Sequence, residues 1–304
     1  MAANVTLFVT GKKGFGVIPF VIGRAHGLVD FVVVGRDVGV EDDCFFAICE
    51  LLDQHSIKWY PRDDYPPLDP KSYVIAVGWR WLIDHDSDRL IVLHDSLLPK
   101  YRGFAPLINM LINGEKEIGV TALFGSENYD SGAIISQSST KICYPITIAE
   151  AIDINNQNYV RLLSLICSKI SQGQMIEGSP QVDTEATYSI WRDQDDYVVD
   201  WSKSAQEISR FVDAVGDPYS GAISYTSLGD VLRIAKVKVV NDVRCEQRHT
   251  GKVIFVQNGE PVVICGSGLL RISKAFKLVD GKEISCIPLQ HFRTRFISCP
   301  VKCF

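Results

Sequence analysis

The 304-residue chain lacks any apolar run of about 18 residues, the length a membrane-crossing helix needs. Its opening, "MAANVTLFVTGKKGFG", has no basic stretch ahead of the apolar one, so it reads as a first β-strand and not as a secretory signal. Nine cysteines occur without one CxxC pair. A chain of this size needs no disulfide staples, and reduced thiols in the cytoplasm are the expectation. Cys286, His291, Cys299 and Cys303 have the chemistry of zinc ligands but not the tight spacing of a zinc site, so incidental cysteines and no metal are expected. Excess positive charge is missing as well. Thirty-one Lys and Arg stand against 36 Asp and Glu, a net charge of −5, which gives no support to a DNA-binding or membrane-binding surface. Internal repeats and low-complexity tracts are absent.

Enough apolar material is present for two cores, with 46% hydrophobic and 22% charged residues. The first half alternates strand-like and helix-like stretches. "NVTLFVT", "DFVVVGRD", "SYVIAVGWRWLI" and "RLIVLHDS" are short and apolar, and "CFFAICELLDQHSI" between them sets Phe45, Ile48, Leu51 and Leu52 on one helical side. This pattern predicts an α/β domain with a Rossmann-like, mostly parallel sheet and helices on both faces. Ligands of such sheets bind beyond the carboxyl ends of the strands, where His94 lies. After about residue 185 a short helix, "QEISRFVDAVG", gives way to "GAISYT", "VLRIAKVKVV", "GKVIFVQNG", "PVVICG" and "GLLRISKAF", separated by Gly, Asn and Pro turns. That succession predicts a smaller β-barrel-like, OB-like domain. The expected domains are 1–185 and 186–304. The first has 15 Lys and Arg against 23 Asp and Glu, the second 16 against 13. A weakly basic β domain suits a phosphate-bearing substrate and is thin support for a long nucleic-acid footprint.

"GKKGFG", Gly11 to Gly16, follows the first strand but is neither a Walker sequence nor a full GxGxxG, and reads as a tight strand-to-helix turn. The stretch "LIVLHDSLLPKYRGFAPLINMLINGEKEIGVTALF" says more. A strand ends on His94, Pro99 and Gly103 interrupt regular structure, and "APLINMLINGE" follows as a helix with Gly114 past its end. "IGVTALF" returns as a strand, and the polar loop "GSENYDSGA" then carries Asp130. A carboxylate beside an imidazole orients the ring for acid/base work near neutral pH. A histidine satisfied in the core and an aspartate capping a turn fit the same positions.

The ordered set His94, Ser96-Leu97-Leu98-Pro99, Arg102-Gly103, Asn113-Gly114-Glu115, Gly119-Val120-Thr121, Asp130, Gly132, Ile134 and Gln137 resembles the folate-dependent formyltransferases. "VDWSKSAQEISRFVDAV" resembles the opening of that family's C-terminal domain. The resemblance implies transfer of a formyl group from N10-formyltetrahydrofolate to a primary amine, with no metal. It maps the family's acid/base histidine to His94 and its partner aspartate to Asp130. One position departs: the family's asparagine two residues before the histidine, which stabilises the tetrahedral oxyanion, is Val92 here. Loss of such a donor costs about a hundred- to a thousandfold in rate. Asn109 on the following helix, a backbone N–H or the His94 ring are the candidate replacements, and a catalytically weak folate- or nucleotide-binding relative is the alternative.

Within the family, the wording around His94 and "YSIWRDQDDYVVDW" looks most like the sugar N-formyltransferases of surface-polysaccharide pathways. That implies a UDP- or dTDP-linked amino-deoxy sugar as acceptor. A methionyl-tRNA formyltransferase is the nearest rival and is disfavoured by the modest basic charge. Trp79, Trp81 and Leu82 then line the folate cleft together with Asp130. Ser96, Lys100, Tyr101 and Arg102 reach acceptor sugar or phosphate, Trp191 stacks on the base and Arg192 pairs with the pyrophosphate. The plainer readings are a core tryptophan, a solvated loop and a linker. Exposed edges of the β domain are compatible with a homodimer.

Overall fold

A computed structural model describes residues 4–40, 42–279 and 282–299; Cys303 lies outside them. They fall into two compact units. One comprises the chain up to Leu107, Lys116–Ile142 and Glu150–Trp191. The other comprises Ile108–Glu115, Cys143–Ala149 and the chain from Arg192 onward. This division differs from a single cut after residue 185, because two short internal segments group with the C-terminal part.

The first unit is built on a sheet of seven strands: β1 (Val5–Val9), β2 (Val29–Val34), β3 (Trp59–Pro61), β4 (Tyr73–Val77), β5 (Leu90–His94), β7 (Glu117–Phe124) and β8 (Ile134–Lys141). Their order across the sheet is β3-β2-β1-β4-β5-β7-β8. Strands β1 to β5 run parallel, while β7 and β8 are antiparallel additions at one side. Two short strands, β6 (Arg102–Gly103) and β9 (Tyr188–Ser189), pair with each other apart from this sheet.

Helices α1 (Gly11–Phe20), α2 (Phe45–Gln54) and α4 (Ile148–Ser171) bury apolar residues in one core. Alternate strand residues feed it: Leu7, Val9, Val32, Val34, Ile75, Val77, Ile91 and Leu93 join Val17, Ile48 and Leu162. The 24-residue helix α4 is the element that sequence reasoning passed over. Helix α3 (Pro106–Asn113) follows β6 in the chain.

On the opposite face of the sheet, the cover over β1, β2 and β4 includes irregular chain. Phe8, Val33 and Val74 are covered there by Tyr65, Leu68, Trp79 and Ile83, which belong to irregular segments. The physical reason lies in "YPRDDYPPLDP" and "IDHDSD". Pro61, Pro66, Pro67 and Pro70 remove backbone donors that a helix requires, and clustered aspartates favour turns. Turns and irregular chain therefore supply this part of the cover. His94, Val92 and Leu90 share it, because alternate residues of β5 point the same way and Ile91 and Leu93 enter the helix-covered core.

"GKKGFG" is not a turn but the first part of α1. Its glycines permit close packing: a Cβ on Gly14 would meet Val9 Cβ at 2.9 Å, and one on Gly16 would meet the Asn156 amide at 2.5 Å. The second unit contains α5 (Ala205–Ala214) and strands β10 (Ala222–Thr226), β11 (Val231–Val240), β12 (Val253–Gln257), β13 (Glu260–Ile264), β14 (Leu269–Val279), β15 (Lys282–Ser285) and β16 (Phe296–Ile297). The sheet runs β12-β13-β14-β11-β10-β16. It curls until a Lys252–Arg295 bridge and the Phe296 N–H to Gly251 carbonyl bond (2.8 Å) link its two ends. Helix α5 starts on a reciprocal cap between Ser204 and Glu207.

Candidate active site

Strand β5 delivers His94 at its carboxyl end, and β7 and β8 deliver the turn that carries Asp130. His94 is 7% exposed. Its Nδ1 lies 3.4 Å from Asp130 Oδ2, and its Nε2 lies 2.8 Å from the Tyr101 carbonyl. A carbonyl oxygen only accepts, so Nε2 carries a proton in this arrangement. Gly103 N–H donates to the same Asp130 Oδ2 at 2.8 Å.

The chain between these residues is fixed by polar side chains beneath it. Ser96 is fully buried and its hydroxyl donates to the Lys100 carbonyl at 2.7 Å. Thr121 donates to the Ser96 carbonyl at 2.6 Å and accepts from Leu98 N–H at 3.1 Å. Gln137 donates to the Leu98 carbonyl and to Thr121, both at 2.9 Å. The Ser-Leu-Leu-Pro, Thr121 and Gln137 positions are thus one scaffold for the loop after His94. Asp95 points the other way, into the helix-covered face, and accepts from Lys13, Tyr159 (2.6 Å) and Asn155 (3.3 Å).

The loop ends in β6, where the pairing with β9 brings two distant stretches of chain together. Gly103 has φ +97°, and a Cβ there would meet the Ser189 carbonyl oxygen at 2.5 Å, so this crossing requires glycine. Around it lies an exposed aromatic group. Phe104 stacks edge-on against Tyr129 at 5.3 Å and against Trp191 at 6.2 Å. Tyr129 and Trp191 remain 65% and 66% exposed. Large exposed aromatics gathered in one place mark a binding surface.

The structure brings together His94, Asp130, Tyr101 and Arg102, and sets Lys100 exposed on the same loop. Two expectations need correction. Ser96 cannot reach an acceptor, because it is buried and its hydroxyl is engaged. Arg102 is 2% exposed, and its guanidinium contacts Gln181, Asp183 and Tyr188 instead of offering a surface to phosphate. Arg192 belongs to the second unit, where it donates to Asn109 Oδ1 (3.0 Å) and to the Asp196 carbonyl (3.0 Å). Asn109 falls in that unit too, so its amide oxygen serves Arg192 there.

Trp79 packs edge-on against Phe8 (4.9 Å) and Trp81 (4.8 Å), and its buried Nε1 has no hydrogen-bond partner among the described residues. The guanidinium carbons of Arg62 and Arg80 lie 4.8 Å and 5.1 Å from the centre of the Trp81 ring, and Leu82 is 96% exposed. Val92 pairs with Ala76 and Leu123, and its side chain supplies no donor. Gln181, the Tyr101 carbonyl and the Gly103 N–H were missed, and no local pattern marks them: two act through backbone atoms and the third comes from an irregular stretch.

Comparison with known proteins places residues 74–156 in the formyl transferase model and residues 192–286 in the formyl transferase C-terminal domain model, together more than half of the chain. Methionyl-tRNA formyltransferase of Heliobacterium modesticaldum is 30% identical over 199 residues, 64% of this chain and 62% of that protein. The Clostridium novyi methionyl-tRNA formyltransferase is 35% identical over 185 residues, 60% and 58% respectively. The chain therefore spans about three fifths of the length of these relatives. Among solved structures, the sugar 3N-formyl transferase WlaRD has a TM-score of 0.67 at 18% identity, covering 91% of this chain and 98% of its own. The Helicobacter canadensis N-formyltransferase has a TM-score of 0.66 at 16% identity, covering 89% and 98%.

Proposed function

Because the chain belongs to the formyl transferase family, we propose that it moves a formyl group from N10-formyltetrahydrofolate to the amine of a nucleotide-linked amino-deoxy sugar. The acceptor assignment is carried by the exposed aromatic group of Phe104, Tyr129 and Trp191 beside the His94–Asp130 pair. Such rings suit a planar base, whereas a net charge of −5 is unfavourable to a long polyanion. A sugar 3N-formyl transferase studied with dTDP and 5-N-formyl-THF, and an N-formyltransferase complexed with folinic acid and dTDP-3-aminofucose, share the fold over nearly their whole length. Their ligands support the same class here.

In this reading Nε2 gives up its proton to solvent as it leaves the Tyr101 carbonyl, and the neutral ring, protonated on Nδ1 toward Asp130, accepts the proton that the attacking amine loses and passes it to the folate nitrogen as the formyl C–N bond breaks. Asp130 holds the ring through Nδ1, and Gly103 N–H keeps that carboxylate aimed. The folate supplies the activated formyl carbon when bound. The segment 78–89 fits a flat pterin: its backbone lies outside the sheet ladder, Trp79 and Trp81 present rings, and the buried Trp79 Nε1 has a donor to offer. Lys100 on the exposed rim of the His94 loop suits acceptor phosphate.

A methionyl-tRNA acceptor is the second reading, favoured by the 30% and 35% identical relatives. Incubation of the protein with formylfolate and either UDP- and dTDP-amino sugars or charged initiator tRNA separates the two. Addition of one formyl group to a sugar nucleotide, read by mass, is expected. Formylation confined to the tRNA overturns the sugar assignment.

A further inference from the structure

We infer that Gln181 is a positioning residue for the His94–Asp130 pair, an inference that rests on the proposed reaction for its kinetic consequence but not for its structural one. Gln181 lies in the segment between α4 and β9, far from both residues in sequence. Its Nε2 donates to two backbone carbonyls of the Asp130 turn, that of Asp130 at 2.7 Å and that of Gly132 at 2.8 Å. Its Oε1 accepts a forked pair of bonds from Arg102, at 3.0 Å from Nε and 2.8 Å from Nη2. Both donors and the acceptor oxygen of the amide are thereby engaged, which fixes which end is nitrogen.

These bonds close a ring. Arg102 grips Gln181, Gln181 grips the backbone of Asp130, and the Asp130 carboxylate accepts from Gly103, the residue next to Arg102. Tyr101, on the other side of Arg102, accepts from His94 through its carbonyl. Three consecutive residues therefore hold both members of the pair, and Gln181 is the link in that ring that comes from outside the two loops.

The clasp has something to restrain. Asp130 has φ +51°, a left-handed conformation that costs a non-glycine residue about 1 kcal/mol and persists only where surroundings enforce it. On one side the turn is stopped by β7, since Gly132 lies against the Phe124 carbonyl. On the other side Gln181 supplies the two bonds. Without them the turn is free to relax away from His94, and the Asp130 carboxylate moves with it. Arg102, only 2% exposed, explains its own burial in the same way: it orients an amide, with Asp183 and Tyr188 accepting from two more of its N–H groups.

The test compares the full chain with Q181L, which keeps the volume and removes both functions, and with R102K, which keeps the charge and removes the fork. Histidine-selective ¹⁵N spectra, with the His94 signals assigned from H94A, read the ring directly. Displacement of the His94 Nδ1 signal in Q181L toward its position in D130A, with a smaller displacement in R102K, is expected. An unchanged Nδ1 signal in both variants overturns the inference, whatever the enzyme's acceptor. In the formyl-transfer assay, kcat falls roughly 10- to 100-fold in Q181L with little change in acceptor KM, the size expected for a sub-ångström to ångström misplacement. The double variant D130A/Q181L is no slower than D130A, because the amide acts through that carboxylate. Fully additive losses would show that Gln181 acts elsewhere. A parent chain inactive on every acceptor would count against the proposed reaction and leave the spectroscopic result to decide this one.

Discussion

A single methyl group at Gly132 tests whether the Asp130 turn is as tightly placed as its contacts imply. A Cβ at this position would lie 1.9 Å from the Phe124 carbonyl oxygen and 2.9 Å from its carbon. Ordinary contact is about 1.5 Å longer than the first of these. Phe124 cannot supply the space, because β7 is paired with β5 on one side and with β8 on the other. The turn must therefore move outward, and Asp130 sits two residues away. Its carboxylate is 3.4 Å from His94 Nδ1 and 2.8 Å from Gly103 N. Motion of about 1.5 Å takes both contacts out of hydrogen-bonding range. G132A is expected to lower kcat for formyl transfer roughly a hundredfold while acceptor KM stays within about threefold. Steady-state kinetics with formylfolate and the accepted amine give both numbers, and far-UV circular dichroism with thermal melting shows that the chain is folded. A folded G132A protein with kcat within about threefold of the parent would refute the reasoning.

Other predictions concern stability, reactivity and binding. Burial alone would raise the Asp43 carboxyl, but Arg36 (2.7 Å) and the N–H groups of Asp37 and Phe45 outweigh it and hold it below the usual carboxylate range. Its stabilisation is therefore complete above the unfolded-state value and is lost as pH falls through the lower folded-state value. D43N should cost about 2 kcal/mol at neutral pH, and urea midpoints of the two proteins should converge in acid below about pH 4. Burial pushes the thiols of Cys167 and Cys265 up to about 12 and that of Cys49 up to about 11. Native alkylation followed by peptide mapping should find Cys143 and Cys299 labelled and these three unmodified until the chain is unfolded. Trp191 is 66% exposed, so W191A should leave the fold intact and raise acceptor KM about tenfold, the worth of one lost stacking partner.

The parts of this molecule that were legible in sequence are those written in local periodicity. The apolar runs at 5–9, 29–34, 73–77 and 90–94 became the parallel strands, and the successive runs after residue 220 became the curled antiparallel sheet. His94 and Asp130 were legible because each ends or follows such a strand within one ordered set of motifs. Much of the rest depends on atoms that composition does not reveal. The Tyr101 carbonyl and Gly103 N–H are backbone groups, and Gln181 comes close only through tertiary folding. Ser96 and Arg102 read as substrate contacts because polar residues beside a catalytic histidine usually are. Here they are structural, as burial to 0% and 2% residual exposure shows. The prolines and aspartates of 61–70 and 84–88 signal the irregular chain found there, but the strand–helix rhythm of the surrounding sequence is the louder pattern.

The most direct test of the central claim is formyl transfer by the parent chain, H94A and D130A, measured at saturating formylfolate with UDP- and dTDP-linked amino sugars. Robust transfer by the parent, loss of about a thousandfold or more in H94A and a smaller loss in D130A are predicted, since the ring exchanges the proton and the carboxylate only orients it. Transfer that persists in H94A at the parent's rate would contradict the account.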